Sequence, residues 1–269
     1  MSGGGDGLVG GSGVWARSIL YTVALTAGTF GIIWASGALH AEAETLEPAV
    51  EAAMPGADFE ESARLFRRFC VSCHGVSGDA DGELSNGEVM RPRSFRRESF
   101  RFPSSESGVA SRDDLLRVIR DGIPSAGMPP TLSCSPEQHV MLADYVLEIR
   151  RLSGHPVDPG PRLEVVARPD GFVADAEAGN AVFQKLCAVC HGADGSGEST
   201  IPLGDELGRM LTPRDLRAGV FRGGGADEDL YRRIRLGLPG TPMGRFTTEL
   251  VGDEEIWHLI AHIRSLAAE

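Results

Sequence analysis

No charged residue occurs from Ser18 to Leu39, a run set between Arg17 and the acids Glu42 and Glu44. A helix of about 20 apolar residues crosses a bilayer core, whereas the apolar part of a secretory signal is usually only about 7–15 long. Residues 18–39 are therefore expected to be a single-pass anchor, with Trp15 and Trp34 near its ends and the Arg17 side facing the cytoplasm. A signal peptide cleaved at Ala41-Glu42-Ala43 is the alternative. Both readings export the remainder of the chain. Residues 1–17 are Gly-rich and aperiodic, which predicts disorder, and residues 40–57, with Pro48 and Pro55 among acids and alanines, read as a tether.

From Asp58, the expected N-cap, Phe59, Ala63, Leu65, Phe66 and Phe69 recur at helical spacing up to Cys70. A Gly/Asp/Ser-rich loop and an Arg-dense stretch with Pro92-Arg93 come next, then a helix over residues 112–120 ending at Gly122. Residues 123–130 hold three prolines and a glycine and cannot be helical. Ser135 (or Ser133) then caps a closing helix with Pro136 at its first position and Gln138 at its third, carrying Val140, Leu142, Tyr145, Val146 and Ile149. Residues 153–174, with four prolines and little periodicity, are the predicted linker between a first domain at 58–152 and a second at 175–269.

The second stretch repeats the first. Asp175 opens a helix through Val182, Phe183 and Leu186 to Cys187; Pro213-Arg214 comes after a loop; a helix covers 228–235; residues 238–243 form a loop with two prolines; a last helix runs 253–266. Cys187 lies 117 residues after Cys70, Pro213 lies 121 after Pro92, and Met243 lies 115 after Met128. A drift of so few residues over a whole unit marks a duplication with small loop insertions. The predicted fold class is all-α: two tandem domains after an N-terminal membrane or signal helix.

Each repeat contains a C-x-x-C-H segment, Cys70-Val71-Ser72-Cys73-His74 and Cys187-Ala188-Val189-Cys190-His191. Two thiols at this spacing add across the vinyl groups of one haem, and the next residue, His, is carried beneath the ring as an iron ligand. Two copies in two similar halves predict two covalently bound c-type haems held by Cys70, Cys73, Cys187 and Cys190, with His74 and His191 on iron. The sixth position distinguishes a carrier from a catalyst. Met128 and Met243 lie 58 and 56 residues beyond Cys70 and Cys187, each in a Pro/Gly loop just before the closing helix, so each is the expected second axial ligand.

Met90 and Met210 also match between repeats but come only about 20 residues after their own cysteines, and are read as packing against the haem. Met54 reads as tether and Met141 as core. His40, His139, His155, His258 and His262 are weaker ligand candidates; His262 takes the place of Tyr145 and is expected to pack. A backbone carbonyl near Pro92 and Pro213 is placed to accept the free N–H of the proximal His and fix its tautomer. Arg93 and Arg214 are the next residues, and an Arg fork suits a haem propionate.

Composition changes this picture little. The chain has 269 residues, 42% hydrophobic and 24% charged, and a formal net charge of −12, which argues against a nucleic-acid partner and allows a basic protein one. Lys185 is the only lysine. Cys134 is left over from haem attachment and reads as an inert thiol.

These residues resemble the class I c-type cytochromes, and specifically their tandem diheme members. Each half has an N-terminal helix running into C-x-x-C-H, a Met loop, and a C-terminal helix with an aromatic near its middle, Tyr145 and Trp257. The resemblance spans residues from about 58 to 269. It implies two small helical domains, each around one haem, and electron transfer between a redox protein donor and acceptor in the bacterial periplasm. With the anchor, the chain looks like a tethered carrier at the inner membrane; a soluble periplasmic form after cleavage is the alternative. Two further readings stay open: a cytochrome subunit of an oxidase or quinol-oxidising complex, and a diheme enzyme such as a peroxidase or sulfur-compound dehydrogenase. The second needs one iron with an exchangeable sixth ligand, whereas both halves supply a Met at the same place.

Overall fold

The computed structural model describes residues 46–54, 56–86 and 91–267. The anchor segment 18–39, the alternative cleavage site, His40 and Met90 lie outside the described residues. No helix among the described residues is long and apolar enough to cross a membrane. Both repeats belong to one compact unit, Glu47–Glu269.

The expected tether contains a helix, α1 (Leu46–Ala53), with Val50 only 1% exposed. Pro48 is compatible with it because it sits in the first turn, where no intrahelical partner for its missing N–H is needed. The first repeat then supplies α2 (Ala57–Phe69), α3 (Val71–His74), α4 (Arg112–Asp121) and α5 (Pro136–Leu152). The second supplies α6 (Ala176–Leu186), α7 (Ala188–His191), α8 (Asp227–Leu236) and α9 (Asp253–Leu266). Among the described residues only isolated β-bridges occur, and no strand ladder forms.

Helix α2 begins one residue before the expected cap. Gly56, at φ +95°, turns the chain into it without a side-chain bond, and Asp58 falls in the first turn, where a carboxylate complements the helix dipole. The other predicted caps form. Ser135 accepts from the Gln138 N–H while Gln138 Oε1 accepts from the Ser135 N–H, and Asp175 accepts from Glu177 and Ala178. Ser111 and Asp114 make a full capping box on α4; at α8 only the returning half exists, from the Ala226 N–H to Asp229, because alanine has no side-chain acceptor.

In each half the first and last helices cross: α2 packs on α5, and α6 on α9. Small residues sit at the crossing. Ser62 is fully buried, and Gly179, 117 residues later, lies so close that a Cβ there would stand 1.9 Å from the His258 carbonyl oxygen. The aromatic beside the crossing is repeated too. Phe66 meets Tyr145 at 5.0 Å between ring centroids, and Phe183 meets His262 at 5.1 Å. His262 is thus a packing residue, as expected.

The linker has no regular structure, yet it is bound along its length. The Leu163 N–H donates to the Ser104 carbonyl, the Trp257 indole donates to the Val166 carbonyl, Phe172 leans on His258, and Val165 and Phe172 pack on the second core. A Pro-rich segment without periodicity can still be fixed when its backbone groups find partners on both sides.

Candidate functional site

Both C-x-x-C-H segments form a single helical turn after a short break at the first cysteine. The Cys73 and His74 N–H groups donate to the Cys70 carbonyl at 3.1 and 2.8 Å, and the Cys190 and His191 N–H groups donate to the Cys187 carbonyl at 3.1 and 2.9 Å. A glycine with positive φ ends each turn, Gly75 at +76° and Gly192 at +78°. All four thiols are free, as is Cys134. Burial pushes the Cys70 thiol up to about 12 and the Cys187 thiol to about 11; Cys134 is a neighbour close enough to raise Cys70 further. Burial also raises Cys134 itself, which keeps it a poor nucleophile at neutral pH.

The imidazole of His74 donates from Nδ1 to the Arg93 carbonyl at 2.9 Å, with the tautomer set by that bond. The acceptor is one residue beyond Pro92. The ring also stacks on Phe95 at 4.4 Å and 22°. Burial lowers the proton affinity of His74, and the Arg93 carbonyl and Glu98 partly offset it. In the second half the Arg214 carbonyl similarly favours protonation of His191 against the burial that lowers it, but the contact falls outside hydrogen-bond geometry and leaves Nδ1 buried without a bond. Leu216 stands in the place of Phe95: its N–H donates to the Gly195 carbonyl as that of Phe95 does to Gly78.

The methionine loops match in backbone. The Ile123 N–H donates to the Met128 carbonyl at 2.8 Å, and the Leu238 N–H to the Met243 carbonyl at 2.9 Å. Each loop is preceded by a glycine at positive φ, Gly122 at +67° and Gly237 at +69°, and a Cβ at either would come within 2.6 Å of the Met128 carbonyl oxygen or 2.5 Å of that of Met243. These glycines are required by the close approach of the loop backbone, which helix-cap reasoning alone undervalues. Their separation of 115 residues, the same as that of the methionines, is the sequence signal that marks them.

The two arginines diverge. Arg93 donates to the Ser99 carbonyl and lies 3.1 Å from both Glu98 and Glu206, so it bridges the halves. Arg214 donates to the Val220 carbonyl and forms no ion pair among the described residues. The other histidines have local work. His139 Nε2 lies 2.8 Å from the Thr131 hydroxyl, His155 bonds the Arg96 carbonyl, and His258 Nδ1 accepts from the Asp175 N–H. Met210 is 66% exposed, and no cluster of three or more His, Cys, Asp or Glu residues able to hold a metal ion exists among the described residues.

The donor set fits covalently attached haem. Two free thiols stand one helical turn apart in each half, and with Nδ1 of His74 committed to a carbonyl, Nε2 keeps its lone pair for a metal. The sequence matches the family cytochrome c oxidase, cbb3-type, subunit III twice, at residues 57–146 and 174–263. The chain belongs to this family. As a member it is a tandem diheme c-type cytochrome with two covalently bound c-type haems. It is 28% identical over 181 residues to the Cbb3-type cytochrome c oxidase subunit CcoP of Rhodobacter capsulatus, covering 66% of this chain and 50% of the relative. The chain therefore spans about half the length of that curated relative. Among solved structures it is similar to a chain of the Kuenenia stuttgartiensis reducing HAO-like protein complex, at 30% identity and a TM-score of 0.70, covering 77% of this chain and 96% of that one.

Proposed function

We propose that this cytochrome carries electrons between redox proteins at the outer face of a bacterial inner membrane, tethered by residues 18–39, with haem domains at 58–152 and 175–269. In this reading His74 and Met128 hold the first iron and His191 and Met243 the second. The haems, when bound, supply one-electron chemistry. Cys70 and Cys73, or Cys187 and Cys190, would attach each haem, and the His and Met of the same half would hold its iron. Pro92 and Pro213 shape the carbonyl segment behind each His, and Arg93 and Arg214 would be propionate partners, Arg93 through the guanidinium nitrogens other than the Nη1 that contacts Ser99, Glu98 and Glu206.

The observation that carries this reading is the shared backbone closure of the two methionine loops. A Met presented by the same backbone closure in both halves would serve as a second iron ligand in each, the arrangement that suits a carrier. A cytochrome subunit of a larger respiratory complex is the second reading, favoured by the two relatives, whose names place them in an oxidase and in an HAO-like complex. Met128→Ala and Met243→Ala, made separately, are each expected to lower the potential of one haem and abolish its near-infrared Met-to-iron band, leaving the other unchanged. A change in both haems, or in neither, would undo the ligand pairing. Recovery of one stable assembly from detergent-solubilised membranes would select the subunit reading over the free carrier.

A further inference from the structure

Charged contacts join the two halves, and two of them fall on the methionine loops. Glu206, in the second half, takes the Ser99 N–H and the Ser99 hydroxyl, both at 2.7 Å, and Arg93 at 3.1 Å, all from the first half. The same residue supports the second methionine loop. Its backbone N–H donates to the Gly240 carbonyl at 3.1 Å, and its carboxylate lies over the Gly240 Cα, where a Cβ would meet Oε1 at 2.3 Å. Gly240 lies between Leu238 and Met243, the residues whose hydrogen bond closes that loop. A reciprocal contact holds the first loop. Arg222 of the second half donates to the carbonyl of Ser125, which lies between Ile123 and Met128, at 2.8 Å. Behind these clamps the buried Glu98 pairs with Arg209 across the interface, and Arg117 pairs with Asp229 at 2.8 Å.

We propose that each half positions the methionine of the other: Ser99, through Glu206, seats the Met243 loop, and Arg222 seats the Met128 loop. The inference rests on the ligand assignment above. Its physical basis is that loops closed only by bonds within themselves, four backbone bonds in residues 123–128 and two in 238–243, gain stiffness from contacts outside them, and a thioether is a weak donor whose hold on iron depends on where the loop puts it. A clamp from the neighbouring domain supplies that stiffness. It also joins the carbonyl that orients His74, borne by Arg93, to the loop that carries Met243.

The test uses the full-length holoprotein, with the potential and near-infrared band of each haem resolved by optical titration. Ser99→Ala, in the first half, should weaken the band and lower the potential of the second haem. Arg222→Lys, in the second half, should do the same to the first. Both substitutions preserve charge, so a purely electrostatic effect predicts no shift from either. Glu206→Gln should lower the second haem's potential more than Ser99→Ala does; removal of a negative charge alone would raise it. Unchanged haem content and helical signal confirm that the variants fold. Should a variant fail this check, Ser99→Gly or Arg222→Gln takes its place, the latter judged by its near-infrared band alone, because loss of a positive charge by itself lowers the potential. If each substitution moves only the haem of its own half, or neither haem, while wild type shows both bands, the clamp is refuted. If wild type lacks the bands, the ligand assignment fails instead.

Discussion

The two histidines occupy the same turn on the same helix end, yet their surroundings differ. His74 is tied to the Arg93 carbonyl at 2.9 Å and stacked on Phe95, whereas the Arg214 carbonyl makes only a weaker contact with the buried Nδ1 of His191, which has Leu216 in place of the aromatic. Duplication preserved the backbone that delivers Cys, His and Met, and let the contacts behind the ring drift. An imidazole that donates to a carbonyl is a stronger electron donor to its metal and favours the oxidised iron. The first haem is therefore expected to have the lower potential of the two.

The largest expected effect concerns the helix crossings. Gly179→Ala drives a methyl into the His258 carbonyl and should destabilise the second half by about 3 kcal/mol, read by thermal or denaturant melting. Ser62→Ala, at the equivalent place, should be neutral or stabilise by about 1 kcal/mol, because the buried Ser62 hydroxyl has no partner to lose. Equal losses at both would mean that the crossings do not differ as described.

Phe95→Leu makes the first site resemble the second. It should cost about 1 kcal/mol and move the first haem's potential while leaving the second haem's untouched. No movement of either potential would remove the ring stack from the explanation of their difference.

Acid should unbalance the halves next. The Tyr231 hydroxyl, donating to Asp253 at 2.5 Å, holds that carboxyl below the usual range against its burial, with Arg235 assisting. A carboxyl depressed on folding contributes stability above its unfolded value, about 4, and loses it as pH falls through the lower folded value. Melting temperatures of Asp253→Asn should therefore show a flatter acid limb than wild type below about pH 4. The smallest effect belongs to Cys134. Its replacement by Ser should leave both haems attached and stability within about 0.5 kcal/mol, and loss of the first haem on substitution would give that thiol a part in attachment.

Much of this is legible in the chain. The all-α class, most helix ends and the loops between them are set by caps, prolines and periodicity, and the repeat register points to two loops, 123–128 and 238–243, that the structure closes in the same way. The tether helix α1 is hidden in the sequence because its acids and Pro48 mask a buried Val50. The linker's fixed course and the Glu206 and Arg222 clamps are hidden too, since they depend on which residues distant in sequence meet, and an isolated Glu or Arg looks like any solvated charge. The glycines before the loops lie between these cases. Their place is visible as a helix end, but the reason for them, a carbonyl at 2.5–2.6 Å from any Cβ, exists only in three dimensions.

The central claim, two irons each closed by His and Met, is tested most directly by near-infrared and optical redox titration of the purified holoprotein. The account predicts a Met-to-iron band for both oxidised haems and no ready binding of cyanide or peroxide by either. One haem without the band that bound peroxide at once would contradict it and make the protein a diheme enzyme.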